Sequence, residues 1–536
     1  MPGKNMIEEI MNRPQPLPRV VPDYMRKRGG LWYWTGAMVM IAFLYEALTG
    51  IILLLFYSPA SAYKSTTDFV ADIPFGSVIL TTHLYGAYAM IVLLYVHMLR
   101  SLFVGAYKRP REMQWLLGVL LLLLTIGVAY FGYSMVGDAL AVNAEDVGKG
   151  IASGFPVIGW WLALVFFGSS PEQLYTRFLG WHIILAGAIL ILFAVHFFLA
   201  EYNTIMPRVD SEHGKAPHID REDPSYKPWY PYNLLYMLQL TFLVIGLIII
   251  IPSIVALIPN VPVLFSPFPQ AAPGTAAAAS LPPYPPWFLL FIYKELDFSL
   301  AAAWGPFWGS VVFLGAPLLY LAALPWLDRG DSLKMVHRKN TVAFGIMGIF
   351  YLAWLSLWGA VEPGIPIPTW EWLAFFFAVG LGVYLPTHFV LTRIERGTLK
   401  IGSPGRFALS LGMLALTSFG SGFLIMASLA TGSATSTISM ILLLMSMAIS
   451  LTVAVAYLRG VLPLQIGQPE GRRLRGKTYT FIGSVYTFAG IAILGVMLAI
   501  TPNSIYNNSL YGVGLGLLFL IAFGLLRLYR SFAYGE

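Results

Sequence analysis

Four histidines sit inside apolar stretches of this chain as two pairs with one spacing. His83 and His97 are 14 residues apart, and so are His182 and His196. On an α-helix that is just under four turns, so each pair shares one helix face, about 21 Å apart at about 1.5 Å per residue. Two such helices side by side would present facing imidazoles at two levels. The chain therefore has to hold two long apolar helices in parallel and in register, which restricts it to a helical bundle. Imidazole is a standard axial ligand of haem iron, so this bundle is a scaffold for two bis-histidine haems and for electron transfer across a membrane.

Composition sets the solvent. The chain is 57% hydrophobic and only 11% charged, where a soluble domain carries about 25% charged residues; an all-α integral membrane protein is expected. Residues 1–30 are polar and basic, form a cytoplasmic N-terminal segment in this reading, and carry no cleavable signal pattern. The formal charge of +7 comes from basic residues at helix ends and short loops, which is a topology signal rather than a nucleic-acid footprint. Cysteine is absent, which excludes disulfides, thiolate-held iron–sulfur clusters and CxxCH haem attachment within this chain. An iron–sulfur partner has to be a separate subunit.

Apolar runs long enough to cross about 30 Å of hydrocarbon occur at 31–57, 77–103, 115–136, 177–200, 232–258, 301–326, 342–360, 369–391, 406–430, 437–458, 478–501 and 509–528, about twelve transmembrane helices. Basic clusters follow the second, sixth, eighth and tenth runs, and the intervening loops are acidic or nearly uncharged. The positive-inside rule then puts both termini in the cytoplasm of a multi-pass protein of the cell membrane. Two outer connections are long, 137–176 with amphipathic character and 259–300 rich in Pro and Ala, and long loops in a compact domain are usually functional. The expected organisation is a dihaem four-helix bundle at 31–230, a second region at 231–395, and a four-helix transmembrane extension at 396–536.

The second and fourth runs cross in the same direction, so His83 pairs with His182 at an outer level and His97 with His196 at an inner one. Lone membrane histidines more often hydrogen-bond across helices or line a proton path; equal spacing at matched depth on parallel helices outweighs that reading. His213, His218, His337 and His388 do not fit the pattern and read as structural or solvated. Glycine repeats the period on the flanking helices. Gly36 and Gly50 are 14 apart on the first run, and Gly118 and Gly132 on the third. Without a Cβ, glycine lets a flat ring approach the backbone, although small-residue helix packing is the ordinary alternative.

Several stretches resemble the cytochrome b subunit of cytochrome bc complexes: Leu84-Tyr85-Gly86-Ala87, His97-Met98-Leu99-Arg100-Ser101, Pro110-Arg111-Glu112-Met113-Gln114-Trp115, Phe131-Gly132-Tyr133, Thr176-Arg177-Phe178 through His182 to His196, and Pro285-Pro286-Trp287-Phe288. The resemblance covers roughly residues 25–395. It implies a low-potential outer haem and a high-potential inner one, quinol oxidation in an outer pocket, a Rieske iron–sulfur partner and an inner quinone site. It further implies that Arg100 and Trp115 lie near the inner haem's propionates and Arg177 near the outer haem, and that Tyr293 can hydrogen-bond quinol. The outer pocket would comprise Tyr133, Pro286, Trp287, Phe288 and Tyr293. The chain departs from the family in four places. Proline at 286 replaces the motif glutamate that takes a quinol proton, which leaves Glu295, Asp297 and Asp138 as relay candidates; Glu295 and Asp297 are equally read as a solvated loop end. Glu201 stands where the family has a histidine, Tyr236 and Met237 where it has a Lys-Asp pair, and Leu80 where an arginine is common. An inner quinone site is thus either rebuilt, around Glu201 and Tyr236, or lost. The extra helices look like those of archaeal cytochrome b subunits in terminal quinol oxidase supercomplexes, so they suggest a docking surface for oxidase or other acceptor subunits.

The leading expectation is a dihaem quinol-oxidising subunit, with b-type or a-type haems, working in a multisubunit complex and inactive alone. A haem-bearing structural subunit without quinol turnover is the first alternative. A twelve-helix secondary transporter is the second, and a purified protein without a reducible haem band would favour it.

Overall fold

The computed structural model describes residues 20–26, 30–208, 211–217, 223–398 and 476–535. The expected spans at 406–430 and 437–458 lie outside the described residues. Among the described residues ten helices are long and apolar enough to cross a membrane, each on one of the expected runs. In hydrocarbon no water satisfies backbone N–H and C=O groups, so an apolar run of this length has to close its own i→i−4 bonds.

The first half of the chain builds the bundle. Helix α1 (Thr35–Leu54) is followed by the short α2 (Ala62–Asp72), then α3 (Gly76–Phe103) and α4 (Glu112–Ser134). The connection 137–176 folds into α5 (Ala139–Ser153), which has a polar and an apolar face, and α6 (Gly159–Phe167), which is apolar all round, and α7 (Pro171–Tyr202) returns through the bundle. Asp138 caps α5, accepting from the Ala141 N–H at 2.9 Å, and Pro171 opens α7 at the first turn, where its missing N–H costs nothing. Helix α1 packs along α3, and α4 along α7.

Helix α8 (Leu234–Val255) lies against α1 and α3. The Pro- and Ala-rich connection is mostly irregular and ends in α9 (Leu290–Leu296), after which come α10 (Pro306–Leu327), α11 (Lys339–Val361) and α12 (Thr369–Glu395). Helices α2, α5, α6 and α9 and the irregular loops gather at one end of the bundle, the long-loop end. The other end carries the basic loops and a small antiparallel pair, Val20–Pro22 with Tyr226–Pro228.

Several basic residues at that end are buried fasteners as well as topology signals. Arg111 donates to the carbonyls of Asn203 and Ile205 at 3.1 and 3.2 Å. Arg338 donates to those of Leu333 and Leu102 at 2.8 and 3.1 Å. Lys108 reaches Asp328 at 2.7 Å. Their donors meet loop and helix-end carbonyls that would otherwise be buried unpaired.

The last two described helices, α13 (Gly476–Ala499) and α14 (Ile505–Tyr534), pack on each other, and α14 runs along α8. Gly512 and Gly516 let it approach closely: a Cβ at Gly516 would fall 2.6 Å from the Ile250 Cβ, the small-xxx-small crossing common in membranes. Near the far end of α14, Arg530 is buried and donates to Gln239 Oε1 at 2.7 Å, its guanidinium 4.8 Å from the Tyr236 ring centre.

Candidate functional site

Helices α3 and α7 bring the four histidines together as the spacing predicts. The His83 and His182 rings have centroids 6.5 Å apart and planes crossing at 67°. Those of His97 and His196 lie 6.4 Å apart and cross at 79°. A metal–imidazole bond of about 2 Å on each side of one ion puts trans ring centres roughly 6 Å apart, so both separations fit a shared ion.

The other ring nitrogens are held by flanking helices. Nδ1 of His182 lies 2.9 Å from the Val128 carbonyl; a carbonyl cannot donate, so the proton sits on Nδ1 and Nε2 keeps its lone pair. Nδ1 of His83 meets Thr49 Oγ1 at 2.9 Å, and Nδ1 of His97 meets Thr35 Oγ1 at 3.0 Å. Thr49 donates to the Tyr45 carbonyl of its own helix and Thr35 to the Trp32 carbonyl in the turn before α1, so both accept from the rings. The Gln114 carbonyl faces His196 without closing a bond of regular geometry. Fixing the distal nitrogen in this way orients a metal-ligating histidine.

All four glycines stand against these rings. A Cβ would fall 2.8 Å from His182 Cε1 at Gly132, 3.0 Å from His97 Cε1 at Gly36, and 3.3 Å from His83 and His196 Cε1 at Gly50 and Gly118. The sequence reading put them against a flat ring; in the structure the imidazole itself takes the space. Among the described residues no group of three or more His, Asp or Glu gathers as a metal cage. Two facing imidazoles alone do not complete a metal site, so they would suit a metal that brings its remaining donors with it in a cofactor.

A cavity of about 120 Å³ opens at the long-loop end beside His83 and Gly132. Tyr88, Tyr133, Asp138, Tyr284, Pro286 and Phe288 line it. Of the expected pocket residues, Tyr133, Pro286 and Phe288 are therefore in its wall. Trp287 packs behind, its ring 5.6 Å from Tyr88. Tyr293 is in the same apolar cluster, with its hydroxyl buried and free of a hydrogen bond.

Asp138 and Glu295 are buried and Asp297 is half-buried. Asp138 lines the cavity but accepts from two backbone N–H groups, Ala141 at 2.9 Å and Gln270 at 2.8 Å; burial pushes its carboxyl up and these donors pull it back. Asp297 pairs with the buried Lys294 at 3.3 Å, and Lys294 also donates to the Glu362 and Ile365 carbonyls at 2.9 and 3.2 Å. Glu295 is buried with Oε2 unpaired, and burial holds its carboxyl well above the usual range.

Arg177 lies five residues before His182, its Nη1 3.2 Å from the Val165 carbonyl and its Nε buried and unpaired. At the other level Arg100 is one turn beyond His97, against the Tyr33 ring at 5.1 Å, again with Nε buried and unpaired. Such orphaned donors beside the histidine levels suit an anionic substituent. Trp115 is buried, but its indole N–H goes to the Leu321 carbonyl at 2.6 Å. Glu201 ends α7, and Tyr236 sits in α8 beneath Arg530. His213 is exposed, His337 bonds Ser332 at 2.8 Å and His388 stacks on Tyr384 at 4.4 Å; His218 lies outside the described residues.

Sequence reasoning missed Thr35 and Thr49, although they share the 14-residue period. It also missed Glu46, whose Oε2 is 3.1 Å from His83 Nδ1.

Residues 88–273 match the family described as cytochrome b(N-terminal)/b6/petB. The cytochrome b of Sulfolobus acidocaldarius is 35% identical over 98% of this chain and 97% of its own length. The menaquinol:cytochrome c reductase cytochrome b subunit of Geobacillus thermodenitrificans is 34% identical, over 31% of this chain and 77% of that one. A solved structure described as hyperthermophilic respiratory complex III shares the fold, with a TM-score of 0.53 and 24% identity over 71% of this chain and 94% of that chain.

Proposed function

Because the chain belongs to the cytochrome b family, and so is a haem-binding, multi-pass subunit of a bc-type respiratory complex, we propose that it is that complex's dihaem quinol-oxidising subunit. The observation that carries this reading is the pair of imidazole levels at 6.5 and 6.4 Å. His83 and His182 would hold one haem, His97 and His196 the other. Bound haem iron supplies a one-electron couple at each level. The chain's own task is to fix both imidazoles through Thr49, Thr35 and the Val128 carbonyl, and to leave the space that Gly36, Gly50, Gly118 and Gly132 keep clear. Arg100 and Arg177 are placed to bond the haems' carboxylates, as charge-assisted bonds do.

Basic loops set the orientation, with the long-loop end outside and both termini in the cytoplasm. Quinol then binds in the outer cavity between Tyr133, Pro286 and Phe288, with aromatic faces to hold a flat ring and His83 in the cavity wall. One electron would enter the haem ladder and the other a separate Rieske-type subunit. Residues 31–230 form the cofactor bundle in this scheme, 231–395 complete the quinol side and 396–536 extend the membrane domain toward partner subunits. Proline at 286 and the unmatched Glu201 and Tyr236 keep a second reading in view, a haem-bearing structural subunit without its own turnover.

The test is haem content with quinol-driven reduction. His97→Ala or His196→Ala should leave one haem per chain where the unmodified protein has two, and quinol should reduce the unmodified complex when its iron–sulfur partner is present. Two haems retained in either variant refutes the ligand assignment. Two haems without quinol-driven reduction selects the structural reading.

A further inference from the structure

Proline at 286 leaves quinol oxidation without the motif acid, so the protons have to go elsewhere. Asp138 is occupied by backbone donors and Asp297 by Lys294. Glu145 on α5 is differently placed. It is 5% exposed, with Oε1 buried and unpaired, and the Tyr175 hydroxyl faces its carboxyl. Burial pushes that carboxyl up to about 7, into the range where one group can both take and release a proton near neutrality.

Tyr88, Tyr130 and Tyr293 pack in one cluster between the cavity and this acid. Tyr133 is in the cavity wall and within electrostatic reach of Tyr293. Tyr293 has its buried hydroxyl unpaired and packs in the same cluster as Tyr130. The Tyr130 hydroxyl donates to the Ala144 carbonyl at 3.0 Å, beside Glu145, and lies over Gly148 one turn further along α5. A side chain at 148 would occupy its place. Beyond Glu145, Tyr175 is half-buried, with its hydroxyl against Gly137 in the outer loop. The groups facing Glu145 are thus Tyr130 from α4, Tyr175 from α7, Tyr57 from the loop after α1, and Asp138 and Asp146 beside its own helix. Glu295 is as deeply buried, yet none of these hydroxyls is placed beside it.

We propose that Glu145 accepts the quinol protons in place of the missing motif acid, through the hydroxyls of Tyr293 and Tyr130, and releases them beside Tyr175 to the outer aqueous phase. This rests on the quinol-oxidising reading above. Each quinol gives two electrons, one to the outer haem and one to the iron–sulfur partner, and two protons, which travel one at a time. Each tyrosine passes its own proton forward as it takes one from behind, Tyr130 by turning its O–H from the Ala144 carbonyl to the Glu145 carboxylate. The Glu145 carboxylate is neutralised and discharges to water before the second proton arrives.

The test uses the assembled complex with duroquinol as reductant, following haem reduction in single turnover from pH 5 to 9. The unmodified rate should rise through a limb centred near pH 7. Glu145→Gln should lower the rate by about 100-fold, the low end for a lost acid–base group, and abolish that limb with both haems still bound. Glu145→Asp should restore part of the rate with a displaced midpoint. Tyr130→Phe should slow reduction and keep the midpoint. An unmodified complex that duroquinol cannot reduce sinks the quinol-oxidising reading itself. A reducible complex in which Glu145→Gln keeps rate and limb overturns the role of Glu145. If Glu145→Gln fails to assemble, Tyr130→Phe decides, and an unchanged rate there overturns the relay.

Discussion

Gly132→Ala offers a quantitative test of how the imidazole levels are built. The added methyl would sit 2.8 Å from His182 Cε1 and 3.1 Å from Nδ1. Carbon atoms pack best at about 3.5–4.0 Å, so the ring has to retreat by about 0.7 Å. It cannot do so freely, because Nδ1 is bonded to the Val128 carbonyl at 2.9 Å on the same helix as Gly132. Weakening that bond costs about 1 kcal/mol, and forcing an extra methyl into a packed site costs about 1–3 kcal/mol. Alanine returns about 1 kcal/mol through helix propensity. The balance, about 1–3 kcal/mol, falls on the position of one proposed haem ligand and corresponds to roughly a tenfold to hundredfold loss of cofactor affinity there. The assay is haem per chain by the pyridine haemochrome method, with redox titration of membranes to identify the surviving level. Gly132→Ala should deplete the His83–His182 level, and Gly36→Ala, with a 3.0 Å approach to His97, should deplete the other level less severely. Gly50→Ala and Gly118→Ala, both at 3.3 Å, should stay close to the unmodified protein. Equal effects across the four variants, or Gly118→Ala as the most severe, would refute the steric argument.

Two further substitutions probe contacts that the spacing pattern did not reveal. Glu46→Gln replaces the carboxyl 3.1 Å from His83 Nδ1 with a weaker acceptor. It should raise the midpoint potential at the His83 level by about 30–60 mV, the one-electron equivalent of a hydrogen bond's strength; a shift of the same size at the His97 level would count against it. Arg530→Met removes the bond to Gln239 and the stacking on Tyr236. It should cost about 2–3 kcal/mol, seen as a lower unfolding temperature in detergent with haem content unchanged, and an unaltered melting curve would mean that apolar packing, not this polar contact, holds α14.

What could be read from the sequence shared one property: it repeated. The histidines and glycines carry the 14-residue period in side-chain identity, and helical geometry turned that period into two levels at matched depth. Thr35 and Thr49 repeat it as well, each just before a glycine, so the signal for the ring acceptors was present and unused. The carbonyls of Gln114 and Val128 keep the same interval on α4, but backbone atoms leave no mark in a sequence. Asp138 illustrates a competing rule. An acid before an apolar stretch is the usual helix-start residue, and the structure uses it as one while also placing it in the cavity wall. The pairing of Lys294 with Asp297, three residues on, went unread, because the burial that ties them to the loop around Glu362 depends on the fold. The cavity itself joins α3, α4 and the Pro-rich loop, which are far apart in the chain and share no period, so only the fold could assemble it.

The repeat also clarifies what makes the two levels different. Each has two imidazoles, a threonine acceptor, a backbone carbonyl and two glycines at the same helical positions, so to first order the period gives both levels the same affinity and potential. Direction has to come from residues outside it. At the His83 level Glu46 adds a carboxyl acceptor to the ligand's distal nitrogen, which makes the imidazole a stronger donor to bound iron and favours the oxidised state. At the His97 level Arg100 adds a guanidinium one turn away with an unpaired buried nitrogen, and a fixed positive charge favours the extra electron. In the proposed assignment both effects point the same way, downhill from the cavity end toward the basic end. Exchanging them should therefore flatten the gradient: Glu46→Gln from one side and Arg100→Gln from the other should each bring the two midpoint potentials closer, and the double variant should bring them closer still.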